Sequence, residues 1–180
     1  AQYVDTKPVL DKFSALALLA GIVLDTRNFI LRAGVRTFEA AAYLRSRGAS
    51  TVDCKKFFSN DMDIFRSRNA IIDNAETYSD CAISSVQDKI DNIRLVTSQA
   101  ADEMLNIEGV RGSFVLYESG DGINISARSY GEINVQLIME NLGGGGHQTM
   151  SACQLKGYDV PDAKSALYGA IEKFFNKNAK

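Results

Sequence analysis

Apolar positions in the first half of the chain recur at helical intervals. Residues 14–24 (Ser-Ala-Leu-Ala-Leu-Leu-Ala-Gly-Ile-Val-Leu) are small and apolar throughout, which suits a closely packed, buried helix leading into a loop or short strand at Asp25. Thr37 stands where it can cap a helix over 38–47, with Phe38, Ala41, Ala42 and Leu44 facing inward and Gly48 as the stop. Ser50-Thr51-Val52-Asp53 has the form of a capping box and opens a second helix that carries Phe57 and Phe58. A third amphipathic stretch covers 64–75, with Asp61 and Asp63 as acids favoured at a helix start.

From Cys81 the period shortens. Residues 82–86 read as a strand, and 93–107 as a helix with Val96, Ala100, Met104 and Ile107 on one face. Residues 113–117 and 122–128 read as strands paired around a Glu-Ser-Gly-Asp turn. Asn134 caps a short helix to Leu142; a strand over 151–155 and a helix opened by Pro161, with Leu167, Ile171 and Phe174 inside, complete the chain. The pattern predicts an α/β protein in two parts: a helical segment over 1–77 and a small α/β domain with a mixed sheet over 78–180.

The composition, 46% hydrophobic and 23% charged in 180 residues, is that of a folded protein and excludes coiled-coil, collagen and low-complexity classes. A chain of this length buries roughly 70% of its unfolded surface and needs neither disulfides nor a structural metal to fold. Twenty Lys and Arg against 22 Asp and Glu give a net charge of -2, so phosphate recognition has to be local rather than a property of the overall field. Cys54, Cys81 and Cys153 are odd in number and far apart, which argues against a disulfide framework and a thiolate zinc site and fits a reducing cytoplasm. The longest apolar run is interrupted by Gly21 and too short for a bilayer, and no signal-peptide pattern is present. The chain opens at Ala1 and enters its first pattern within about ten residues, so a piece of a longer protein is expected.

Three places could carry chemistry. Gly143-Gly144-Gly145-Gly146-His147 holds the one His of the sequence; consecutive glycines let backbone N–H groups converge on an anion, and a flanking imidazole can donate to a phosphate oxygen. A helix C-cap after Leu142 is the competing account, and it explains one glycine but not the other three. The run has no Lys and precedes a strand, unlike the loop of nucleoside triphosphatases. Ser126 and Arg128 share a face of an extended strand and could meet one ligand beside the glycines, the guanidinium gripping phosphate, although a lone Arg is more often an exposed edge residue. Asp25, behind Ile22-Val23-Leu24, could offer a hard oxygen to a divalent cation or serve as a cap or turn acid. One carboxylate cannot hold a catalytic metal, and no H-x-x-x-H or D-x-D-x-D run accompanies it.

The Gly-Gly-Gly-Gly-His run followed by Ser151-Ala152 resembles the signature of the DHH-associated domain of DHH-family phosphoesterases. Residues 18–29 (Leu-Leu-Ala-Gly-Ile-Val-Leu-Asp-Thr-Arg-Asn-Phe) resemble the last metal-site motif of the preceding DHH domain. Residues 36–45, Ser126-Ala127-Arg128-Ser129 and Ile133-Asn134-Val135-Gln136 are similar to the membrane-anchored cyclic-di-AMP phosphodiesterases of that family. The resemblance implies a helical remnant of a DHH domain joined to a complete associated domain. It implies a parent enzyme with a binuclear manganese (Mn2+) site that cleaves cyclic-di-AMP, anchored in the bacterial membrane with this part on the cytoplasmic face and without membrane contact of its own. Carried over by position, Asp25 becomes one metal ligand; Ser126, Arg128, Gly144, Gly145, Gly146 and His147 become phosphate-binding residues, with Asn134 shaping their pocket.

The Asp-His-His motif and the other metal ligands of the family are absent from this sequence, so no catalytic residue is assigned and the chain alone is expected to be inactive as a hydrolase. Its expected partners are a cyclic or short linear dinucleotide, the N-terminal DHH half, and a second copy in a homodimer. The sequence leaves two alternatives open: an oligoribonucleotide or nucleoside bisphosphate phosphatase on the same scaffold, and a nucleic-acid-binding module.

Overall fold

The structure, a computed structural model, describes residues 10–59 and 61–178. The chain divides at Asn60–Asp61 into two compact units. In the first, helices α1 (Lys12–Asp25), α2 (Val35–Ser46) and α3 (Thr51–Lys56) gather around Ala15, Leu19, Leu44, Ala49 and Cys54. Asp11 caps α1, accepting from the Ser14 amide at 2.8 Å, and Ser50 caps α3, accepting from the Asp53 amide at 3.2 Å. Helix α2 starts earlier than its sequence predicts: Gly34 takes the cap position and Thr37 lies inside the first turn, its Oγ1 accepting from the Gly34 amide at 3.3 Å. Gly48, at φ +95°, ends that helix in the left-handed region that favours glycine. Phe57 and Phe58 fall just beyond α3 and are exposed.

The second unit contains α4 (Met62–Asp73), β1 (Glu76–Tyr78), β2 (Cys81–Val86), α5 (Ile93–Met104), β3 (Gly112–Ser119), β4 (Gly122–Ser129), α6 (Val135–Glu140), β5 (Gly145–His147), β6 (Met150–Lys156) and α7 (Val160–Asn178). The strands form one six-stranded mixed sheet in the order β1-β2-β3-β4-β6-β5, with β2 and β3 parallel and the other pairs antiparallel. The parallel pair is joined through α5, as a crossover requires. Strands β3 and β4 meet at Ser119 and Gly122, with Gly120 at φ +69° opening the two-residue turn.

Alternation along the central strands sends successive side chains into two cores. Cys81, Ile83, Phe114, Leu116, Ile123, Ile125, Cys153 and Leu155 pack against α6 and α7 through Ile138, Met139, Leu167 and Ile171. Ala82, Val86, Val115 and Tyr117 pack on the opposite face against α5 and α4, through Val96, Ala100, Met104 and Ile71. Helix α4 therefore belongs to the α/β unit, although its pattern groups it with the helical segment that precedes it; the Ser84 hydroxyl also donates to the Ile71 carbonyl at 2.6 Å and ties α4 to the sheet. Cys54, Cys81 and Cys153 are free and buried, and burial pushes the Cys81 and Cys153 thiols up to about 12. No helix among the described residues is long and apolar enough to cross a membrane.

Candidate functional site

On one side of the sheet α4 packs on β2 and α5 on β3 and β4, and the cover stops there. Beyond it, every residue of β6 that points to this face (Met150, Ala152, Gln154 and Lys156) is exposed, and so is the whole of β5. The sheet thus has an open shelf two strands wide. Register places the expected binding residues on it in two rows. Ser126 lies opposite Ala152 and Ala152 opposite Gly145; Arg128 lies opposite Met150 and Met150 opposite His147. Paired residues project to the same face, so Ser126, Arg128, Gly145 and His147 all border one surface whose near row is floored by the methyl of Ala152. Strand spacing puts β4 and β5 roughly 10 Å apart.

The four glycines do not form a free loop of converging amides. The Gly143 amide donates to the Glu140 carbonyl at 3.1 Å and the Gly144 amide to the Met139 carbonyl at 2.8 Å, closing the end of α6, while Gly145, Gly146 and His147 pair with β6. Gly143, at φ +77°, is the left-handed cap residue. A Cβ on Gly144 would stand 2.3 Å from the Ala152 carbonyl oxygen, and one on Gly146, at φ +151°, would stand 2.6 Å from that of Met150. A Cβ on Gly145 meets nothing within 4 Å. Close packing of chain on chain therefore accounts for Gly144 and Gly146, and the left-handed cap accounts for Gly143; Gly145 alone of the four has neither constraint, and its missing side chain leaves open space on the shelf. Any cradling of an anion falls to the exposed stretch Gly145–His147 rather than to the whole run.

Arg128 is not an exposed edge residue. It is 8% exposed, at the foot of the wall made by α5. Its Nη1 donates to the Ala127 carbonyl at 2.9 Å, its Nη2 to Ser98 Oγ at 3.0 Å, and its Nε lies 3.3 Å from Asp102 Oδ1. Ser126, beside it on β4, is 7% exposed. Asn134 caps α6, its Oδ1 accepting from the Gln136 and Leu137 amides at 3.1 and 3.4 Å. Asn134 is also among the residues that line a cleft of about 590 Å³, with Arg111, Glu132, Gln148, Phe174 and Phe175. Arg111 there is held by Glu132 at 2.7 Å and Asp80 at 3.2 Å.

Asp25 is the exposed last residue of α1. After it, Arg27, Asn28 and Phe29 take φ of 46, 57 and 66°, three consecutive side-chain-bearing residues in the left-handed region. The turn is held by Thr26, whose Oγ1 donates to the Ile22 carbonyl at 2.7 Å and accepts from the Phe29 amide at 3.0 Å, and by stacking of Phe29 on Phe38 with ring centroids 5.2 Å apart. Among the described residues no group of three or more His, Cys, Asp or Glu side chains comes together to hold a metal ion. The donors present therefore do not fit a binuclear manganese centre.

A DHHA1 domain model matches residues 79–177. This chain belongs to the DHHA1 family. The match covers the sheet from β2 onward with α5, α6 and α7, so the DHHA1 part holds the shelf, its glycines, Ser126 and Arg128. Similarity extends past it on the N-terminal side. The chain is 46% identical over 166 residues to the cyclic-di-AMP phosphodiesterase PdeA of Listeria monocytogenes, covering 91% of this chain and 25% of that protein. It is 42% identical over 176 residues to the cyclic-di-AMP phosphodiesterase GdpP of Geobacillus thermodenitrificans, covering 97% and 27%. The chain thus spans about a quarter of the length of these relatives. In fold it is similar to an exopolyphosphatase-related protein of Bacteroides fragilis, with a TM-score of 0.81 at 23% identity, over 94% of this chain and 53% of that one. Ser98 and Asp102, which hold the guanidinium of Arg128, have no motif of their own in the sequence; the one local sign is acid in the last turn of a helix, where it is disfavoured.

Proposed function

We propose that this chain is the substrate-gripping C-terminal portion of a metal-dependent cyclic dinucleotide phosphodiesterase, that its DHHA1 shelf binds the nucleotide, and that without the N-terminal DHH half it does not turn substrate over. The observation that carries this reading is the shelf itself: an open half of a sheet face with a buried guanidinium along one border, and Gly145 and His147 along the other. A flat, small-residue floor admits a planar base or a sugar, and the two borders supply donors to phosphate oxygens. Ser126, Arg128 and the Gly145–His147 edge do this work, with Gly144 keeping the edge close to β6. The similarity to two cyclic-di-AMP phosphodiesterases supports the choice of ligand.

Catalysis requires the missing half. A manganese pair would lower the pKa of bound water and clamp the attacking and leaving oxygens. Asp25 is the one residue of this chain that we assign to it, held at the end of α1 by the strained turn that follows. Exposed Phe13, Leu18 and Leu24 on α1 give the DHH half an apolar surface to cover.

Calorimetric titration of the 180-residue chain with cyclic-di-AMP, beside a hydrolysis assay with Mn2+, tests the reading. Binding without turnover is expected, with binding weakened at least tenfold by Arg128→Ala. Fusing the chain to all of PdeA that precedes the matched C-terminal quarter should restore hydrolysis, and Asp25→Ala should abolish it in the fusion. Unchanged binding by Arg128→Ala, or steeply salt-dependent preference for long RNA, would reject the nucleotide shelf in favour of a nucleic-acid module.

A further inference from the structure

The setting of Arg128 is built by one helix. Ser98 and Asp102 stand one turn apart on α5, so both reach the same spot on β4. The hydroxyl of Ser98 and the carboxylate of Asp102 meet the guanidinium at 3.0 and 3.3 Å. The two ends of the ion pair differ in burial: the Arg128 side chain is 10% exposed and that of Asp102 is 43% exposed; the Oδ1 that meets the guanidinium is buried, and the rest of Asp102 reaches the solvent border of the pair. Local helix energetics do not explain an acid here. Asp102 lies in the last turn of α5, where the negative end of the helix opposes it, and that turn has no basic residue of its own. Arg128 is the partner that offsets this cost, and it comes from a different element.

We infer that Asp102 is a counter-ion that occupies Arg128 when the shelf is empty, that phosphate on the shelf binds against its charge, and that Asp102 thereby sets the affinity of the DHHA1 face for phosphorylated ligands. The inference rests on the nucleotide reading of the shelf. Ser98 is a positioning residue in this arrangement, keeping the guanidinium directed as the anion arrives. One guanidinium shared by two anions holds each less tightly than it would hold either alone, because the two anions repel each other across it. The consequence for a hydrolase is release: a linear product bears more charge than its cyclic precursor, and repulsion from Asp102 shortens its residence.

The test is calorimetric titration of the whole 180-residue chain with cyclic-di-AMP, and separately with inorganic phosphate, at low and high salt. Asp102→Asn keeps an acceptor in place and removes the charge, and should tighten both ligands roughly three- to tenfold at low salt, with a smaller gain at high salt. Glu103→Gln removes the same formal charge from the exposed neighbour and should change affinity less than about twofold, which separates the contact from net charge. Ser98→Ala should weaken binding, and Arg128→Ala should weaken it most. Thermal melts check that each variant folds; if Asp102→Asn does not, Asp102→Ser carries the same expectation. The inference is overturned if the Asp102 variants bind no more tightly than the parent while Arg128→Ala binds more weakly. If Arg128→Ala is also without effect, or no variant binds, the nucleotide reading of the shelf fails and this inference goes with it.

Discussion

Gly144 and Gly145 are neighbours with opposite constraints, and the difference separates folding from binding at single-residue scale. A methyl on Gly144 runs into the backbone of β6, 2.3 Å from the Ala152 oxygen and 2.8 Å from the Cys153 Cα, and backbone cannot move aside as a flexible side chain can. Gly144→Ala should cost about 1–3 kcal/mol in a urea melt. A methyl on Gly145 projects into open space at an ordinary backbone angle, so Gly145→Ala should keep stability within about 0.5 kcal/mol of the parent. Calorimetry should show weaker cyclic-di-AMP binding by that variant, because the methyl stands where the ligand approaches; parent-like affinity would remove Gly145 from the site. In sequence the run marks the place without sorting its members, since the sorting depends on how closely each residue lies against β6. Arg128 shows the same limit. Alternation along β4 puts it on the correct face, but its burial comes from Ser98 and Asp102, whose positions depend on how α5 docks on the sheet.

Elements long enough to show a period were legible: β2, β3, β4, β6, α5 and α7 all fall within a few residues of where patterning places them. Strands β1 and β5 were not, because three residues are too few to alternate visibly, and β5 is mostly glycine. Helix α4 is legible as a helix while its neighbours are not, since an amphipathic pattern reports that a face is buried without reporting against what. The short helix α6 is legible through its cap, and that cap tests what Asn134 does. Asn134→Ala removes the acceptor for two first-turn amides and should lower stability by roughly 0.5–2 kcal/mol. Asn134→Asp keeps that acceptor and places a negative charge where the helix start favours it, so its urea midpoint should stay at or above that of the parent. If the Asn134 side chain also faces bound nucleotide, Asn134→Asp should weaken cyclic-di-AMP binding while leaving stability intact. If Asn134 is a cap alone, both properties stay at parent values.

The two units differ in how much apolar surface each can bury. Every member of the two cores that flank the sheet lies in residues 61–180, and the helical cluster draws on residues before 60, so no core residue is shared. The α/β unit covers one face of its sheet with α6 and α7 and the central strands of the other with α4 and α5, whereas among the described residues the helical unit fully buries five apolar residues and leaves Phe13, Leu24, Val35, Phe38, Val52 and Phe57 exposed. A unit of about 60 residues is marginal even with a well-filled core. Residues 61–180 made alone should therefore fold, with a cooperative thermal transition by circular dichroism near the main transition of the whole chain. Residues 1–60 made alone should show no cooperative transition, and in the whole chain their amides should exchange hydrogen through openings of lower free energy than those of β2, β3 and β4. The order matters for function. The shelf, Arg128 and the Asp102 counter-ion all sit in the stable unit, so nucleotide should bind to residues 61–180 with the affinity of the whole chain, while Asp25 and its left-handed turn sit in the unit that melts first. Loss of binding in the shortened chain, despite an intact melt, would show that residues before 61 contribute to the nucleotide site.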